Sequence, residues 1–402
     1  MIKKDCIRLA FTGDILSYEI QDKRSHVSGN DYDYRPYLEA TQPLFDDADF
    51  SIGSIETTCA GKKARYTHDT QSFNTPEGIL DAIKECGIDL LTTANNHSLD
   101  RGVDGLKATI KALDRHEILH TGTFEADEKN WLSVDIGGLK IAFVSYTYGT
   151  NSDVNGCLLT ESQKCFVNLT QRQKSPTQRS FIKIIVRSLF GILPHCVQEC
   201  VRPKRYVVQQ DCSTKEDLTR IENEPYMNIM KQTIHKAKES SDFVVFCLHS
   251  GGQFNSSVGE YTRRLVEDIT EAGADVVVCN HSHCVLPISY KGDKVIAFAL
   301  GNFAFTPNEG YYIEGVYADY SIVLYLDIST KYKRVEDVSF SICKSVRDSD
   351  GSSRVIPIHV LSEQMSDKDN LLTDINAVVS RLVGHSVDLK DIQSKYNLKQ
   401  FI

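Results

Sequence analysis

Hydrophobic and polar positions alternate along the chain in two distinct patterns. Short apolar runs such as residues 7–11 and 50–55 predict buried strands, while residues 76–86 and 103–116 repeat apolar positions at the spacing of one helix face. Helix 76–86 begins with proline and is followed by Gly87, and both are typical helix-end signals. The first part of the chain therefore predicts strands stacked in a sheet, with helices outside.

Later segments repeat this order and then change to strands without helices. Residues 131–136 and 140–146 are joined by a glycine pair and predict a hairpin. Helices and strands alternate again after Pro225, and three consecutive strands follow between residues 295 and 342. Each half thus begins like a βαβ unit and ends in hairpins, which indicates an α/β fold with two sheets packed face to face and helices outside.

The length of 402 residues allows either one large domain with insertions or two domains. We assign residues 1–345 to one domain, with a basic, cysteine-containing insertion at 152–224, and residues 346–402 to a C-terminal extension with a helix. Within the insertion, residues 179–190 predict a basic amphipathic helix. Its apolar face would dock on the domain, or it would form a lid or a membrane-surface contact for anionic lipid.

Composition and charge exclude several classes of protein. The chain is 41% hydrophobic and 25% charged, as in ordinary soluble globular proteins, and its net charge of -9 argues against a nucleic-acid partner. We find no apolar stretch of transmembrane length and no signal peptide, so we expect a cytoplasmic location. The 12 cysteines are scattered, which predicts reduced thiols rather than a disulfide framework.

Side chains of the metal-ligand type occur where five predicted strands end. They are Asp14, Glu56, Asn96, His249, His281 and His283. Each has an ordinary alternative when taken alone, such as a turn at Asp14 or a core imidazole at His249. Because strand ends in α/β sheets meet at one edge, we expect a shared pocket. These ligands suit two divalent transition-metal ions (manganese, iron or zinc), as used in phosphoester hydrolysis.

The order and spacing of these motifs over residues 5–305 resemble the CapA family. The matching segments are Gly13-Asp14, Ile55-Glu56, Ala94-Asn95-Asn96-His97, Asp100, His249-Ser250-Gly251, His281-Ser282-His283 and Leu300-Gly301-Asn302-Phe303. That family is associated with poly-γ-glutamate capsule synthesis and is similar to calcineurin-like metallophosphoesterases. The resemblance implies a four-layer α/β/β/α sandwich of the metallo-dependent phosphatase type, with an insertion.

The resemblance also implies a role for each site residue. One metal would be bound by Asp14, Glu56 and His283, and the other by Glu56, Asn96, His249 and His281, with Glu56 bridging. His97 would be a general acid or a transition-state stabiliser, and Asp100 would orient it or cap the next helix. Asn302 would contact substrate, and Asn95 is assigned both to the substrate site and to support of the turn.

Six positions depart from the pattern of these families, including Asn280 and Ser282 beside the last two histidines. Leu16 stands where phosphoesterases usually have a histidine, Ser54 stands where the family often has asparagine, and Gln253 and Phe254 replace an acid and a tyrosine. We therefore carry two hypotheses. The first is a metal-dependent hydrolase of the phosphoesterase type, acting on an anionic small molecule or polymer in capsule or poly-γ-glutamate metabolism. The alternative is a non-catalytic accessory protein that binds an anionic polymer such as poly-γ-glutamate.

Overall fold

Two mixed β-sheets form the centre of the computed structural model. The structure describes residues 5–68, 72–126, 130–176, 221–291, 293–306 and 315–401. The larger sheet combines strands from the first third and the last third of the chain, so the two sheets do not correspond to the two halves of the sequence.

Within the described ranges, the larger sheet has nine strands, in the order β16-β15-β14-β1-β4-β5-β6, with β13 beside β1 and β17 beside β15. Its strands are β1 (Cys6–Ile15), β4 (Phe50–Ile55), β5 (Leu90–Thr92), β6 (Leu119–Thr121), β13 (Asn302–Ala304), β14 (Tyr320–Ser329), β15 (Arg334–Arg347), β16 (Ser353–Pro357) and β17 (Tyr396–Asn397). Strands β1, β4, β5 and β6 are parallel, whereas β14, β15 and β16 are antiparallel to their neighbours.

The second sheet has six strands, in the order β11-β12-β10-β9-β8-β7. Its strands are β7 (Leu132–Ile136), β8 (Leu139–Thr147), β9 (Phe243–His249), β10 (Val276–Asn280), β11 (Val285–Lys291) and β12 (Lys294–Leu300). The inner strands are parallel and both edge strands are antiparallel. Edge strand β11 contains Pro287, which an edge tolerates because one side of the strand needs no hydrogen bonds. A separate hairpin pairs β2 (His26–Ser28) with β3 (Asp31–Tyr32).

The described helices lie between the strands in sequence. They are α1 (Glu19–Ser25), α2 (Arg35–Leu38), α3 (Gly78–Glu85), α4 (Gly102–Arg115), α5 (Ser152–Asn155), α6 (Glu224–Ser240), α7 (Glu260–Glu271), α8 (Ile358–Glu363) and α9 (Asp369–Val383). Short 3-10 helices span Glu39–Leu44, Lys62–Ala64, Glu161–Phe166, Ile221–Asn223 and Leu398–Gln400. None of these described helices is long and apolar enough to cross a membrane.

Three buried clusters define the layers. One face of each sheet contributes to a shared core, in which Phe50 of β4 stacks on Phe143 of β8 with ring centroids 5.4 Å apart. The opposite face of the larger sheet packs on Ile79 and other residues of α3, and that of the smaller sheet packs on α6 and α7. Two sheets thus face each other with helices outside, and the predicted α/β class is confirmed.

Residues 346–401 pack into the same shared core. Strand β16 pairs with β15, helix α9 places Leu371 and Ile375 in the core, and the ring of Tyr396 stacks on Phe340 at 5.4 Å. The segment that the sequence assigned to a C-terminal extension therefore completes the nine-stranded sheet.

The described ends of the insertion, 152–176 and 221–224, flank residues outside the structural description. Phe166 and Leu169 pack on Leu106 and Ile110 of α4. The amphipathic helix predicted at 179–190 lies outside the described residues. The nine cysteines within the described ranges are free thiols.

Candidate metal centre

The six side chains predicted as metal ligands lie together at the carboxyl ends of parallel strands from both sheets. Asp14 lies near the end of β1, Glu56 and Asn96 follow β4 and β5, His249 ends β9, and His281 and His283 follow β10. All six are buried, with at most 8% of any residue exposed. The two packed sheets thus bring six buried polar side chains together at one edge.

Two glycines allow β1 and β13 to approach closely at this edge. A Cβ atom on Gly13 would lie 1.9 Å from the carbonyl oxygen of Gly301, so no larger residue fits there without a backbone shift. Gly301 has a φ of +81°, in the left-handed region that favours glycine. The Asp14 amide donates to Gly301 O at 3.0 Å, and Asp14 is in register with Asn302. Gly13-Asp14 and Gly301-Asn302 therefore lie side by side where β1 meets β13.

The loop after β10 holds two imidazoles in a strained conformation. His281 and His283 have φ values of +102° and +55°, which cost non-glycine residues on the order of 1–3 kcal/mol each. The His281 amide donates to Asp14 Oδ2 at 2.9 Å and helps to hold this conformation. The result is that both rings face the Glu56 carboxylate.

Glu56 lies between the two groups of ligands. Its Oε1 is 3.4 Å from His249 Nε2 and 3.8 Å from His281 Nδ1, and its Oε2 is 3.7 Å from His283 Nδ1. Two clusters with ligand atoms within 4.8 Å of one another share this residue, namely Glu56 with His249 and His281, and Asp14 with Glu56 and His283.

Several buried atoms of this centre have no hydrogen-bond partner among the described residues. They are both oxygens of Glu56, both ring nitrogens of His281, and Nδ1 of His249. Leaving such atoms unsatisfied is costly, on the order of 1–3 kcal/mol each, so an ion that they bind would relieve a penalty. Carboxylate and imidazole donors also match the preferences of zinc, manganese and iron. The residues present therefore fit a divalent transition metal.

Burial and neighbouring charges shift the pKa values of these ligands in different directions. Burial and the neighbouring Glu56 charge raise the pKa of Asp14. Burial would also raise the pKa of Glu56, but His283 and His249 outweigh it and hold that pKa well below its usual range. Burial lowers the pKa of His249, and it lowers that of His281 to about 3. Neutral imidazoles and ionised carboxylates are the forms that bind metals, so the shifts at Glu56, His249 and His281 favour metal binding and the shift at Asp14 opposes it.

His97 faces the centre from the loop after β5. Its Nε2 is 3.9 Å from Glu56 Oε1, and its Nδ1 is 2.7 Å from Asp100 Oδ2. The same Asp100 oxygen accepts a hydrogen bond of 2.7 Å from the Phe73 amide, and the Phe73 ring packs edge-on against His97 at 4.7 Å. Helix α4 has Arg101 as its N-cap, with no side-chain capping bond, so Asp100 contacts His97 rather than capping the helix.

The two asparagines assigned to substrate make hydrogen bonds within the protein. Asn95 Nδ2 donates to Ile55 O at 2.7 Å, and its Oδ1 accepts from the His97 amide at 2.9 Å, so this side chain supports the turn. Asn302 Oδ1 lies 2.8 Å from His283 Nδ1. Both residues are at most 2% exposed, and their contact with substrate stays a prediction.

The structure adds residues that the sequence analysis did not place in the site. Ser54 donates from Oγ to Asp14 Oδ1 at 3.0 Å, and strand alternation puts Ser54 and Glu56 on the same side of the chain, which was a usable signal. Tyr148 packs on His281 and Phe254 on His283, with ring centroids 4.9 and 5.3 Å apart. Phe254 replaces the tyrosine of the family pattern, so its position near the histidines had a signal in the sequence, whereas Tyr148 had no assigned role.

A two-sheet α/β fold with buried carboxylates, amides and imidazoles at its strand ends defines a protein with a candidate two-metal centre. Within that class, the chain belongs to the family described as bacterial capsule synthesis protein PGA_cap, which matches residues 8–307. The predicted CapA-type resemblance is therefore confirmed.

Curated relatives agree with this family. The chain is 24% identical over 305 residues to the PGA biosynthesis protein CapA of Bacillus subtilis (strain 168), a match covering 75% of this chain and 64% of that protein. It is 21% identical over 308 residues to the capsule biosynthesis protein CapA of Bacillus anthracis, covering 74% and 60%. The matches thus span less than two thirds of either relative.

One solved structure that the comparison matches is described as a novel phosphatase of Mycoplasma pneumoniae. The comparison gives a TM-score of 0.39 and 11% sequence identity, and it covers 92% of this chain and 100% of that chain.

Proposed function

We propose that this chain is a metal-dependent hydrolase of the phosphoesterase type that acts on an anionic substrate in capsule or poly-γ-glutamate metabolism. The observation that carries the proposal is the position of Glu56, whose one oxygen faces His249 and His281 and whose other oxygen faces His283. A carboxylate shared between two ions about 3.5–4 Å apart is the usual arrangement for phosphoester hydrolysis.

The ligand sets follow from the two clusters. Asp14, Glu56 and His283 would bind one ion. Glu56, His249 and His281 would bind the other, together with Asn96, whose Oδ1 lies 2.7 Å from His249 Nε2. When bound, such ions supply Lewis-acid polarisation of the scissile bond and neutralise developing negative charge.

His97 is placed to handle a proton. With Nδ1 directed at Asp100, its exchangeable proton is carried on Nε2, the atom that faces Glu56. A positioned imidazole of this kind donates to a leaving oxygen and typically contributes about 10²–10⁴ in rate. Asp100 is a positioning residue, because it fixes the ring and favours the protonated form.

The substrate class rests on the chemistry of the centre and on the family. Two cations beside a protonated imidazole favour a substrate with negative charge at the scissile bond. Relatives named for capsule and PGA biosynthesis point to an anionic polymer or a precursor of one. The rings of Phe73, Tyr148 and Phe254 pack against His97, His281 and His283 and form an apolar border of the centre.

The test combines metal analysis with turnover. Protein stripped by chelator and reconstituted with Mn²⁺ or Zn²⁺ is assayed on aryl phosphodiesters and on γ-linked glutamate polymers. We expect about two equivalents of metal and a loss of at least about 100-fold in kcat for His97→Ala. His116→Ala, which removes a surface imidazole paired with Asp81, is the matched control. Less than one equivalent of metal in the native protein, with the same metal content and turnover in Asp14→Ala, contradicts the proposal. Binding of the polymer without any turnover favours the accessory role.

A further inference from the structure

The two halves of the centre have unequal numbers of assigned ligands. The half containing His249 has four, counting the shared Glu56 and the amide of Asn96. The half containing Asp14 has three, and the side chain of Leu16, two residues further on, has no donor atom and lies in a largely apolar cluster. Zinc, manganese and iron sites commonly take four or more donors, so the Asp14 half has room for another ligand.

The amide oxygen of Asn302 lies beside His283, one of the three ligands of the Asp14 half. Asn302 Oδ1 is 2.8 Å from His283 Nδ1. That nitrogen is the atom of His283 that faces both carboxylates, at 3.7 Å from Glu56 Oε2 and 3.9 Å from Asp14 Oδ2. Donor atoms bound to one ion at about 2.0–2.2 Å are roughly 3–4 Å apart, so the separations of His283 Nδ1 from the two carboxylates suit a shared ion. The 2.8 Å contact with Asn302 Oδ1 is a hydrogen-bond distance, which an ion bound between the two atoms would lengthen.

The same arrangement occurs in the other half. Asn96 Oδ1 is 2.7 Å from His249 Nε2, and that nitrogen is 3.4 Å from Glu56 Oε1. In both halves, an asparagine oxygen contacts the imidazole nitrogen that faces one oxygen of Glu56. Asn302 therefore makes the same contact with His283 that Asn96 makes with His249.

The surroundings of Asn302 fix the orientation of its amide. Its Nδ2 donates to His283 O at 3.2 Å and to Ala318 O at 2.9 Å. Because two carbonyl oxygens accept from the amide nitrogen, Oδ1 is the atom directed at His283. The side chain is fully buried, and its strand holds it in register with Asp14.

We propose that Asn302 Oδ1 is the fourth protein ligand of the ion bound by Asp14, Glu56 and His283. The inference rests on the two-metal function proposed above and adds one residue to it. Asn302 thereby supplies the donor that Leu16 does not.

The test measures metal binding rather than turnover. Equilibrium dialysis with Mn²⁺ and elemental analysis are applied to the full chain and to Asn302→Ala, Asn302→Asp and Asn96→Ala. We expect two equivalents for the native protein, loss or at least about tenfold weakening of one equivalent in Asn302→Ala, and two equivalents in Asn302→Asp, which keeps an oxygen at this position. Asn168→Ala is the matched control, because it also removes a buried amide that donates to two carbonyls, those of Asn130 and Ser145.

A crystal structure of the native protein with Mn²⁺ supplies a readout that does not depend on a variant folding. Direct ligation places Asn302 Oδ1 within about 2.3 Å of an anomalous scatterer. Two bound ions with Oδ1 still paired to His283 Nδ1 and away from both would overturn the inference and leave the proposed function intact. Failure of the native protein to bind any ion removes the proposed function itself.

Discussion

His97 and Asp100 form a buried pair, with Nδ1 and Oδ2 2.7 Å apart and no more than 6% of either side chain exposed. Two residues lie between them in sequence, and the Phe73 amide donates a hydrogen bond to the same carboxylate oxygen. A buried carboxylate in this position fixes which ring nitrogen carries the reactive proton and stabilises the imidazolium form.

Replacing Asp100 with asparagine tests this pairing. We expect Asp100→Asn to lower kcat by about 10- to 100-fold, because the ring loses its negatively charged partner, while the metal content stays at the native level. The pH dependence of kcat should also move to lower pH, since the imidazolium is less stabilised. Asp104→Asn, an exposed acid in the first turn of α4, is the matched control. An unchanged pH profile in Asp100→Asn would show that the pairing is only structural.

Much of this site was predictable because its donors occur where local hydrophobic runs end. Glu56 and His249 each close a short apolar strand, and parallel strands bring such ends to one edge. The position of Asn302 relative to His283 was not predictable, because it depends on β13 pairing with β1 across nearly 290 residues of sequence. The strand containing Pro287 was missed for a related reason, since proline argues against a strand unless that strand is known to be at an edge.

The shared carboxylate has a distinct effect on stability. We expect saturating Mn²⁺ to raise the Tm of the native protein, since an ion held at 100 times its dissociation constant adds about 2.7 kcal/mol to the free energy of unfolding. Glu56→Gln should lose most of this gain, because both ions depend on the same side chain. Thermal unfolding with and without metal measures the change in Tm. The control is Glu77→Gln, which breaks the surface ion pair between Glu77 and Arg115. An equal gain in Glu56→Gln would rule out a shared ligand.

Asp22 gives a pH dependence that is independent of the metal centre. Burial raises its pKa from 3.8 to about 7, although Ser17 and Tyr34 donate hydrogen bonds to Oδ1. Because the folded-state pKa is raised, the contribution of Asp22 to stability is fully present below about pH 4 and is lost as the pH rises through about 7. Asp22→Asn should therefore be more stable than the native protein at pH 8, by about 1–3 kcal/mol, with no gain at pH 4.

Urea unfolding of both proteins at pH 4, 6 and 8 measures this difference. Asp33→Asn is the contrasting variant. Because Arg35 lowers the pKa of Asp33, this substitution should slightly lower the stability at pH 8 instead of raising it. A difference between Asp22→Asn and the native protein that does not change with pH would mean that Asp22 is already ionised in the folded state.

Gln253 tests which nitrogen of His283 binds the metal. Its Nε2 lies 3.5 Å from His283 Nε2, on the side of the ring opposite to the Nδ1 atom that faces Asp14 and Glu56. A histidine that binds metal through one nitrogen usually donates the other N–H to a carboxylate or carbonyl oxygen, which raises its affinity as a ligand.

Gln253→Glu places a carboxylate at this position, so we expect the weaker of the two Mn²⁺ ions to bind on the order of tenfold more tightly. Calorimetric titration of the metal-free protein measures the change, and Gln253→Ala, which offers no acceptor, should show no gain. Weaker binding in Gln253→Glu would indicate that Nε2 is the ligand atom, because a carboxylate beside that nitrogen would then compete for its position.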